Sequence, residues 1–293
     1  SSATVTITVN AVNDAPVLSA ISDQVIDEDT SLTYTVIVSD IDGDDLEYFA
    51  VAVGSATASM SDNILTVIPD ENYFGSVTVT VAVSDADESV SDTFTLTVNP
   101  VNDAPVLSAI SDQVIDEDTS LTYTVVANDV DGDELSYSAS IDGNGSVDMV
   151  GTDLTIIPDT DFNGSIVATV LVSDGEYTDS DTFTLTVNPV NDSPVLANIS
   201  DVVFDEDQTT SLSLSASDVD ADDLTFSISG GSNILASLSG SDVLFTALEN
   251  YNGNEIFTIN VSDGQYTDSQ DINVTVNPIN DAPVANDISG STN

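Results

Sequence analysis

The chain has 293 residues, with 52 Asp and Glu, no Lys, Arg, His or Cys, and a formal net charge of −52 at pH 7. These absences exclude Ser–His and Cys–His nucleophiles, Schiff-base lysines, disulfides, zinc sites built from His and Cys, and attraction to nucleic acid or anionic membranes. A hydrophobic content of 41% still suffices for packed cores, and no stretch approaches the roughly 20 apolar residues that insert directly into a membrane.

A repeat of 89 residues organises the chain. The tetrapeptide Asn-Asp-Ala-Pro begins at Asn13 and Asn102, returns as Asn-Asp-Ser-Pro at Asn191, and recurs at Asn280. A fixed period indicates a tandem array, and a unit of this length can enclose its own core. The sequence therefore predicts three modules, with flanking pieces of two others. The modules are residues 13–101, 102–190 and 191–279, preceded by a last strand at 1–12 and followed by the start of another module at 280–293.

Within each module, apolar residues alternate with Ser and Thr, as in Thr-Phe-Thr-Leu-Thr-Val at 93–98. A period of two predicts half-buried strands. Seven short strands in about 90 residues are typical of a Greek-key β-sandwich of the immunoglobulin type. We therefore predict an all-β fold with three seven-stranded sandwiches in tandem. In module 1 the predicted strands are A (17–26), B (32–38), C (46–53), D (56–60), E (63–68), F (77–83) and G (93–98).

Acidic residues follow the ends of these strands. If successive strands run antiparallel, the loops after B and F lie at one end of a module and those after A, E and G lie at the other. Where two modules join, the acids of both ends then meet. Two carboxylates about 5 Å apart repel by roughly 3 kcal/mol at an effective dielectric of 20. The junction of modules 1 and 2 is predicted to gather Glu28, Asp70, Glu71, Asn99, Asn102, Asp103, Asp129, Asp131 and Asp174.

A hard cation relieves this repulsion in a chain that has no basic side chain. Ca²⁺ takes 6–8 oxygen ligands in irregular geometry, whereas Mg²⁺ demands a tighter octahedron and keeps its water. The Asp-x-Asp-Gly-Asp runs at 40–44 and 129–133 resemble the opening of an EF-hand loop. They depart from it because the sixth position is Asp45 or Glu134 and the twelfth is Val51 or Ser140. The sequence predicts Ca²⁺ as the cofactor, shared between modules.

The ladder of motifs resembles that of cadherin repeats, and more closely the cadherin-like tandem repeats of large bacterial surface proteins and adhesins. It runs from Glu28 through Asp40-x-Asp42 and Asp85 to the linker Asn102-Asp103-Ala-Pro. The resemblance covers the whole chain and implies Ca²⁺ at each junction, with ligands from both modules and the linker. Two departures stand out: Asn99, Asn188 and Asn277 replace the first Asp of the cadherin linker, and the Asp-Arg-Glu position holds Asp70-Glu71, Asp159 with Asp161, and Glu249.

Carried over through the three repeats, the candidate ligands form one set per module and linker. They are Asn10, Asn13, Asp14, Glu28, Asp40, Asp42, Asp70, Glu71, Asp85, Asn99, Asn102, Asp103, Glu117, Asp129, Asp131, Asp159, Asp161, Asp174, Asn188, Asn191, Asp192, Glu206, Asp218, Asp220, Glu249, Asp263, Asn277, Asn280 and Asp281.

These observations predict a non-enzymatic, calcium-stiffened spacer of an extracellular adhesin or surface fibre. Its predicted partners are calcium ions and neighbouring repeats of the same chain, with other copies and a carbohydrate or cell-surface target left open. One alternative is a filament built by strand exchange between chains. Another is a set of calcium-dependent carbohydrate-binding modules, which the absence of Trp disfavours. A carboxylate-pair hydrolase is disfavoured because the acids recur in equivalent positions, and halophilic adaptation does not explain their phase with the repeat.

Overall fold

A computed structural model describes residues 2–10, 12–85 and 87–282 of the chain. Its regular elements are 27 strands, nine in each module. Because the described ranges contain no helix, no helical membrane span is found there. The predicted all-β class is confirmed.

The strands recur with the period of the sequence. Those of module 1 are β1 (Val17–Leu18), β2 (Gln24–Asp27), β3 (Leu32–Thr35), β4 (Val38–Ser39), β5 (Glu47–Val53), β6 (Ala56–Ser61), β7 (Ile64–Pro69), β8 (Gly75–Ser84) and β9 (Ser89–Asn99). Those of module 2 are β10 (Val106–Leu107), β11 (Gln113–Asp116), β12 (Leu121–Thr124), β13 (Ala127–Asn128), β14 (Ser136–Ile141), β15 (Gly145–Val150), β16 (Asp153–Pro158), β17 (Gly164–Ser173) and β18 (Thr178–Asn188). Those of module 3 are β19 (Val195–Leu196), β20 (Val202–Asp205), β21 (Thr209–Ser213), β22 (Ala216–Ser217), β23 (Thr225–Gly230), β24 (Ile234–Ser239), β25 (Asp242–Ala247), β26 (Gly253–Ser262) and β27 (Thr267–Asn277).

Each module has the same sheet arrangement. In module 1 a four-stranded sheet has the order β2-β9-β8-β5, a three-stranded sheet has the order β3-β7-β6, and β1 pairs with β4. The corresponding strands of modules 2 and 3 repeat this order. The pairing of β2 with β9 is parallel, and the other pairings of module 1 are antiparallel. Strands β2 and β9 therefore end at the same edge, where the linker to the next module begins.

The predicted strands A and B are each divided in two. Strand β1 pairs with β4, whereas β2 pairs with β9 in the other sheet, so the first strand crosses between sheets. Two side-chain carboxylates hold the crossing: the Ile21 amide donates to Asp92 at 2.6 Å, and the Thr95 amide donates to Asp23 at 2.8 Å. Alternation of apolar residues cannot reveal such a crossing, because both halves bury residues in the same core.

Each module encloses a core of its own. In β8 the inward side chains of Val77, Val79, Val81 and Val83 are fully buried, and burial of one such side chain contributes about 1.5–3 kcal/mol. The three clusters of buried apolar residues are separate, one to a module. The modules are thus joined by their linkers and loops and not by a shared apolar core.

The two predicted flanking pieces lie at the ends of the described ranges. Residues 2–10 are exposed and form no strand in this structure. Of the predicted start of a following module, residues 280–282 are described and residues 283–293 lie outside the described residues. Both assignments remain predictions.

Candidate metal centre

In each module, a buried glutamate accepts a hydrogen bond from the linker that leads to the next module. Glu28 follows the last residue of β2, is only 3% exposed, and donates its backbone amide to the Asn99 carbonyl at 2.9 Å. Its Oε1 accepts the Val101 amide of the linker. Glu117 and Glu206 accept linker amides from Val190 and Ile279 in the same way. Each module therefore places one carboxylate beside the chain that enters the next module.

The Asp-x-Asp loop at the other end of a module is closed by its first aspartate. Oδ1 of Asp129 accepts the amides of Asp131, Gly132 and Asp133 at 2.9, 3.1 and 3.3 Å. Gly132 adopts a φ of 81°, which glycine tolerates without strain. The equivalent Asp40 closes its loop similarly. Because Oδ1 of the aspartate accepts the amides of the loop, Oδ2 is not needed for these hydrogen bonds.

The linker is bound to this loop by two further contacts. The Asp103 amide donates to Asp131 Oδ2 at 2.8 Å, and Asn102 Nδ2 donates to Asp174 Oδ2 at 2.9 Å. The second linker repeats both contacts: Asp192 to Asp220 at 2.7 Å, and Asn191 to Asp263 at 2.8 Å. Asp14 with Asp42 and Asn13 with Asp85 do the same at the top of module 1. The linker aspartates are consequently held against the Asp-x-Asp loops.

Acids from two modules and the linker come together at both junctions. Potential ligand atoms of Glu28, Asp103 and Asp131 all lie within 4.8 Å of one another. The second junction has the equivalent group of Glu117, Asp192 and Asp220, and also the group of Asp118, Asp161 and Asp192, with the same limit of 4.8 Å. Two further groups lie within single loops, Asp40 with Asp42 and Asp44, and Asp129 with Asp131 and Asp133.

Several oxygens in these groups are buried without any hydrogen-bond partner. They are Glu28 Oε2 and the Oδ2 atoms of Asp40, Asp103, Asp129, Asp192 and Asp218. A buried polar atom without a partner is costly, and more so when it carries charge. These atoms are hard anionic oxygens, which are the ligands that Ca²⁺ prefers. The donor set therefore fits a hard divalent cation, with Glu28, Asp103 and Asp131 as the residues that would hold it at the first junction.

The electrostatics of the linker aspartates match this arrangement. Burial raises the pKa of Asp103 above its ordinary value of 3.8, and the charges of Asp29, Asp131 and Glu28 raise it further. Burial raises the pKa of Asp192 likewise, with a further contribution from Asp161. Ionisation of both linker aspartates is thus opposed by neighbouring carboxylates, which a bound cation would offset.

The pKa values of the aspartates that follow β17 and β26 are shifted in the opposite direction. Burial works against ionisation of Asp174, but amide hydrogen bonds from Glu176 and Tyr177 and the contact from Asn102 outweigh it and lower its pKa. The pKa of Asp263 is lowered for the same reason. The neighbouring hydrogen-bond donors therefore favour the ionised form of both side chains.

Some predicted ligands lie away from these groups. Asp70, Glu71, Asp159 and Glu249 are exposed, and Asn10 is exposed as well. The side-chain amides of Asn99, Asn188 and Asn277 donate at 3.2 Å to the exposed Asp27, Asp116 and Asp205. Asn280 donates to the backbone of Asp281 at 3.2 Å. Ligand roles for these residues remain predictions.

The structure also adds acids that the sequence did not single out as ligands. Asp118 enters a junction group, and Asp44 and Asp133 complete the loop groups. Asp118 has a φ of 59° and lies in the turn that follows β11. The repeated Asp-Glu-Asp tripeptide was a signal for it, but period two does not predict such a turn. The same reversal occurs at Asp29.

Comparison with known proteins agrees with the fold. A family model described as bacterial Ig domain matches residues 13–99, 102–188 and 191–275. Chitinase A of Pseudoalteromonas piscicida is 31% identical over 153 residues, which are 51% of this chain and 19% of that protein. The chain therefore corresponds to about a fifth of this relative's length.

One solved structure shares the fold of this chain, at a TM-score above 0.5. The PcdhgB3 EC1-4 structure has a TM-score of 0.53 at 15% identity, covering 92% of this chain and 77% of that one. Drosophila N-cadherin EC1-4 has a TM-score of 0.43 at 17% identity, covering 92% and 76%. At these identities the likeness concerns the fold alone. The resemblance to cadherin-like tandem repeats is confirmed, and the chain belongs to the bacterial Ig domain family as three consecutive copies of that domain.

Proposed function

We propose that the chain is a spacer of an extracellular surface protein, in which Ca²⁺ bound at the module junctions stiffens the array. The observation that carries this proposal is the meeting of Glu28, Asp103 and Asp131. Glu28 lies where module 1 meets the linker, Asp103 lies in the linker, and Asp131 lies in the Asp-x-Asp loop of module 2. Their ligand atoms lie within 4.8 Å of one another. Oxygens of Glu28 and Asp103 are buried there without a hydrogen-bond partner.

A cation at this place would act on the joint and not on the modules themselves. The linker already contacts both neighbours, through Val101 to Glu28 and through Asp103 to Asp131. Mutual repulsion of the carboxylates opposes this closed arrangement when no cation is bound. A divalent ion would neutralise part of the charge and hold the three segments together, so bending at the linker would become unfavourable.

Calcium is preferred over magnesium because the ligands are irregularly placed side chains from separate segments. Extracellular calcium modules typically have dissociation constants of about 10⁻⁴–10⁻³ M, which match concentrations outside the cell. A surface location is therefore part of the proposal. A structural role also accounts for the recurrence of the site at both junctions, whereas an enzyme needs one catalytic centre. The activity named for Chitinase A belongs to that protein.

Small-angle X-ray scattering of the whole chain tests this function. We expect the maximum dimension to increase and the conformational spread to narrow when Ca²⁺ replaces chelator. NaCl at matched ionic strength is the control for simple charge screening. The variant Asp103→Asn keeps the backbone contact to Asp131 but removes a ligand charge, and it should reduce the effect at the first junction. Asp62→Asn, at an exposed acid of module 1 outside the candidate ligand set, is its matched control. A scattering profile unaffected by Ca²⁺ would refute the proposal.

A further inference from the structure

The turn that faces the linker differs between the two modules. It reads Asp70-Glu71-Asn72 in module 1 and Asp159-Thr160-Asp161 in module 2. Glu71 is exposed and belongs to none of the groups named above. Module 1 has Asn72 where module 2 has Asp161. Both residues adopt left-handed backbone, with φ of 55° and 56°, a conformation that Asn and Asp tolerate better than most residues. Both also donate their backbone amide to the preceding acidic turn, Asn72 to Asp29 at 3.1 Å and Asp161 to Asp118 at 3.3 Å. The backbone is therefore equivalent, and the difference is one of side-chain charge.

This difference adds a carboxylate to the ligand groups of the second junction. Asp161 has a ligand atom within 4.8 Å of those of Asp118 and Asp192. Asp192 also belongs to the group with Glu117 and Asp220, so it connects two groups at the second junction. Its Oδ2 is buried and accepts no hydrogen bond, which is the second observation that points to a cation here. At the first junction, Asn72 offers only a neutral oxygen.

A second substitution distinguishes the junctions but has a smaller effect. Asn163 of module 2 donates to Glu117 Oε2 at 3.4 Å, whereas module 1 has Phe74 at this position, with 54% of its surface exposed. A neutral amide at that distance is a weak donor. It occupies one lone pair of Glu117 but leaves the charge of the carboxylate in place. The added charge of Asp161 should therefore dominate.

We propose that Asp161 makes the second junction the tighter cation site, so that the array stiffens in two steps as the Ca²⁺ concentration rises. As the Ca²⁺ concentration rises, the second junction, between modules 2 and 3, becomes rigid first. The first junction, between modules 1 and 2, becomes rigid at a higher concentration. This inference rests on the proposed function. Calcium affinity in proteins depends on the number of charged ligands, and one additional carboxylate should separate the two midpoints by about tenfold.

The chain offers a clean way to measure each junction separately, because it has no cysteine. Ser91, Ser180 and Ser269 occupy the same exposed position in strands β9, β18 and β27. Nitroxide labels on the pair Ser91→Cys and Ser180→Cys report on the first junction. Labels on the pair Ser180→Cys and Ser269→Cys report on the second. Double electron–electron resonance during a Ca²⁺ titration of the whole chain gives the width of each distance distribution.

We expect the second pair to narrow at about tenfold lower Ca²⁺ than the first pair. Exchanging the two residues, Asn72→Asp together with Asp161→Asn, should reverse the order without unfolding either module, since both positions accept either residue. Equal midpoints in the original chain, or midpoints unmoved by the exchange, would overturn the inference while leaving the proposed function intact. If neither pair narrowed with Ca²⁺, the proposed function itself would fail, and this inference with it.

Discussion

At the scale of single residues, the buried glutamates are the least expected feature of the chain. Glu28 and Glu117 are each 3% exposed and Glu206 is 4% exposed, although Glu is rarely buried without a partner. One oxygen of each accepts a linker amide. The second oxygen of Glu28 has no hydrogen-bond partner. A carboxylate in this position carries an electrostatic cost that a cation would remove.

The first prediction concerns this charge. Glu28→Gln keeps an acceptor for the Val101 amide but removes the negative charge. We expect Ca²⁺ affinity at the first junction to fall by about tenfold or more. In chelator the same variant should be slightly more stable than the original chain, because an unpaired buried charge has been removed. Titration calorimetry and thermal unfolding in chelator measure the two effects. Glu47→Gln, at an exposed acid of the same module outside the candidate ligand set, is the control, and an equal loss of affinity there would contradict the prediction.

A different carboxylate has a purely structural task in module 3. Glu255 stands where modules 1 and 2 have Val77 and Ile166. It accepts the amides of Ser232 and Ile234 at 2.8 and 2.9 Å, and contacts Asn233 as well. Burial works against its ionisation, but these hydrogen bonds outweigh burial and hold its pKa below the ordinary value of 4.5. Glu255 thus occupies the position of an apolar core residue and holds the neighbouring loop through hydrogen bonds.

The second prediction follows from the direction of this pKa shift. A lowered pKa in the folded state gives stability that is complete above the unfolded value and is lost as the pH falls through the folded value. We expect Glu255→Gln to reduce the free energy of unfolding of module 3 by about 1–2 kcal/mol at neutral pH. The difference from the original chain should shrink as the pH falls below the ordinary value of 4.5. Differential scanning calorimetry of both chains measures it, and Glu249→Gln is the exposed control. A difference that grew with acidification would disprove the prediction.

At the scale of elements, the two carboxylate oxygens of the first aspartate in the Asp-x-Asp loop have different environments. Oδ1 of Asp129 closes the loop through three amides, while Oδ2 is buried without a partner. The loop therefore has a defined conformation before any cation binds, because its amides are satisfied within the protein. The free oxygen is available for a ligand outside the loop.

The third prediction compares two substitutions of this residue. Asp129→Asn retains the amide acceptor, so module 2 should keep its stability while Ca²⁺ affinity at the first junction falls. Asp129→Ala removes acceptor and charge together, and it should also lower the free energy of unfolding by about 1–3 kcal/mol. Calcium titration and denaturant unfolding in chelator distinguish the two roles. Equal stability of the two variants would show that the loop does not depend on the carboxylate oxygen.

Strand boundaries show how far sequence patterns reach at this scale. The predicted strands C, D and E agree with β5, β6 and β7 to within one residue at each end, because each lies within a single sheet along its whole length. Strand A was wrong as one continuous element. Its two halves, β1 and β2, belong to different sheets, and the Asp92 and Asp23 contacts that hold the crossing join residues about 70 positions apart.

At the scale of the whole molecule, the chain has three separate cores. It carries a formal net charge of −52 and has no basic side chain to balance it. Such self-repulsion is spread over the surface and weakens with ionic strength. At the junctions, carboxylates of separate segments lie within 4.8 Å of one another. Two kinds of electrostatic cost are therefore present, one diffuse and one confined to the joints.

The fourth prediction separates these costs. In chelator, about 0.5 M NaCl should raise the melting temperature of all three modules, because it screens the diffuse repulsion. It should not narrow the inter-module distances as Ca²⁺ does, because monovalent ions do not bridge ligands from separate segments. Calorimetry and the labelled pairs described above measure the two effects. If NaCl reproduced both effects of Ca²⁺, the junctions would be governed by screening alone.

The sequence by itself determined the array: the 89-residue period, the all-β class, most strands and the meeting of acids from adjoining modules. These follow from local alternation and from the antiparallel order of strands, which are properties of neighbouring residues. The tertiary structure alone decided which acids meet. Glu28, Asp103 and Asp131 converge at the first junction, and Asp118 and Asp161 converge with Asp192 at the second. That choice depends on turn conformations and on contacts across the linker, and both are set by packing between distant parts of the chain.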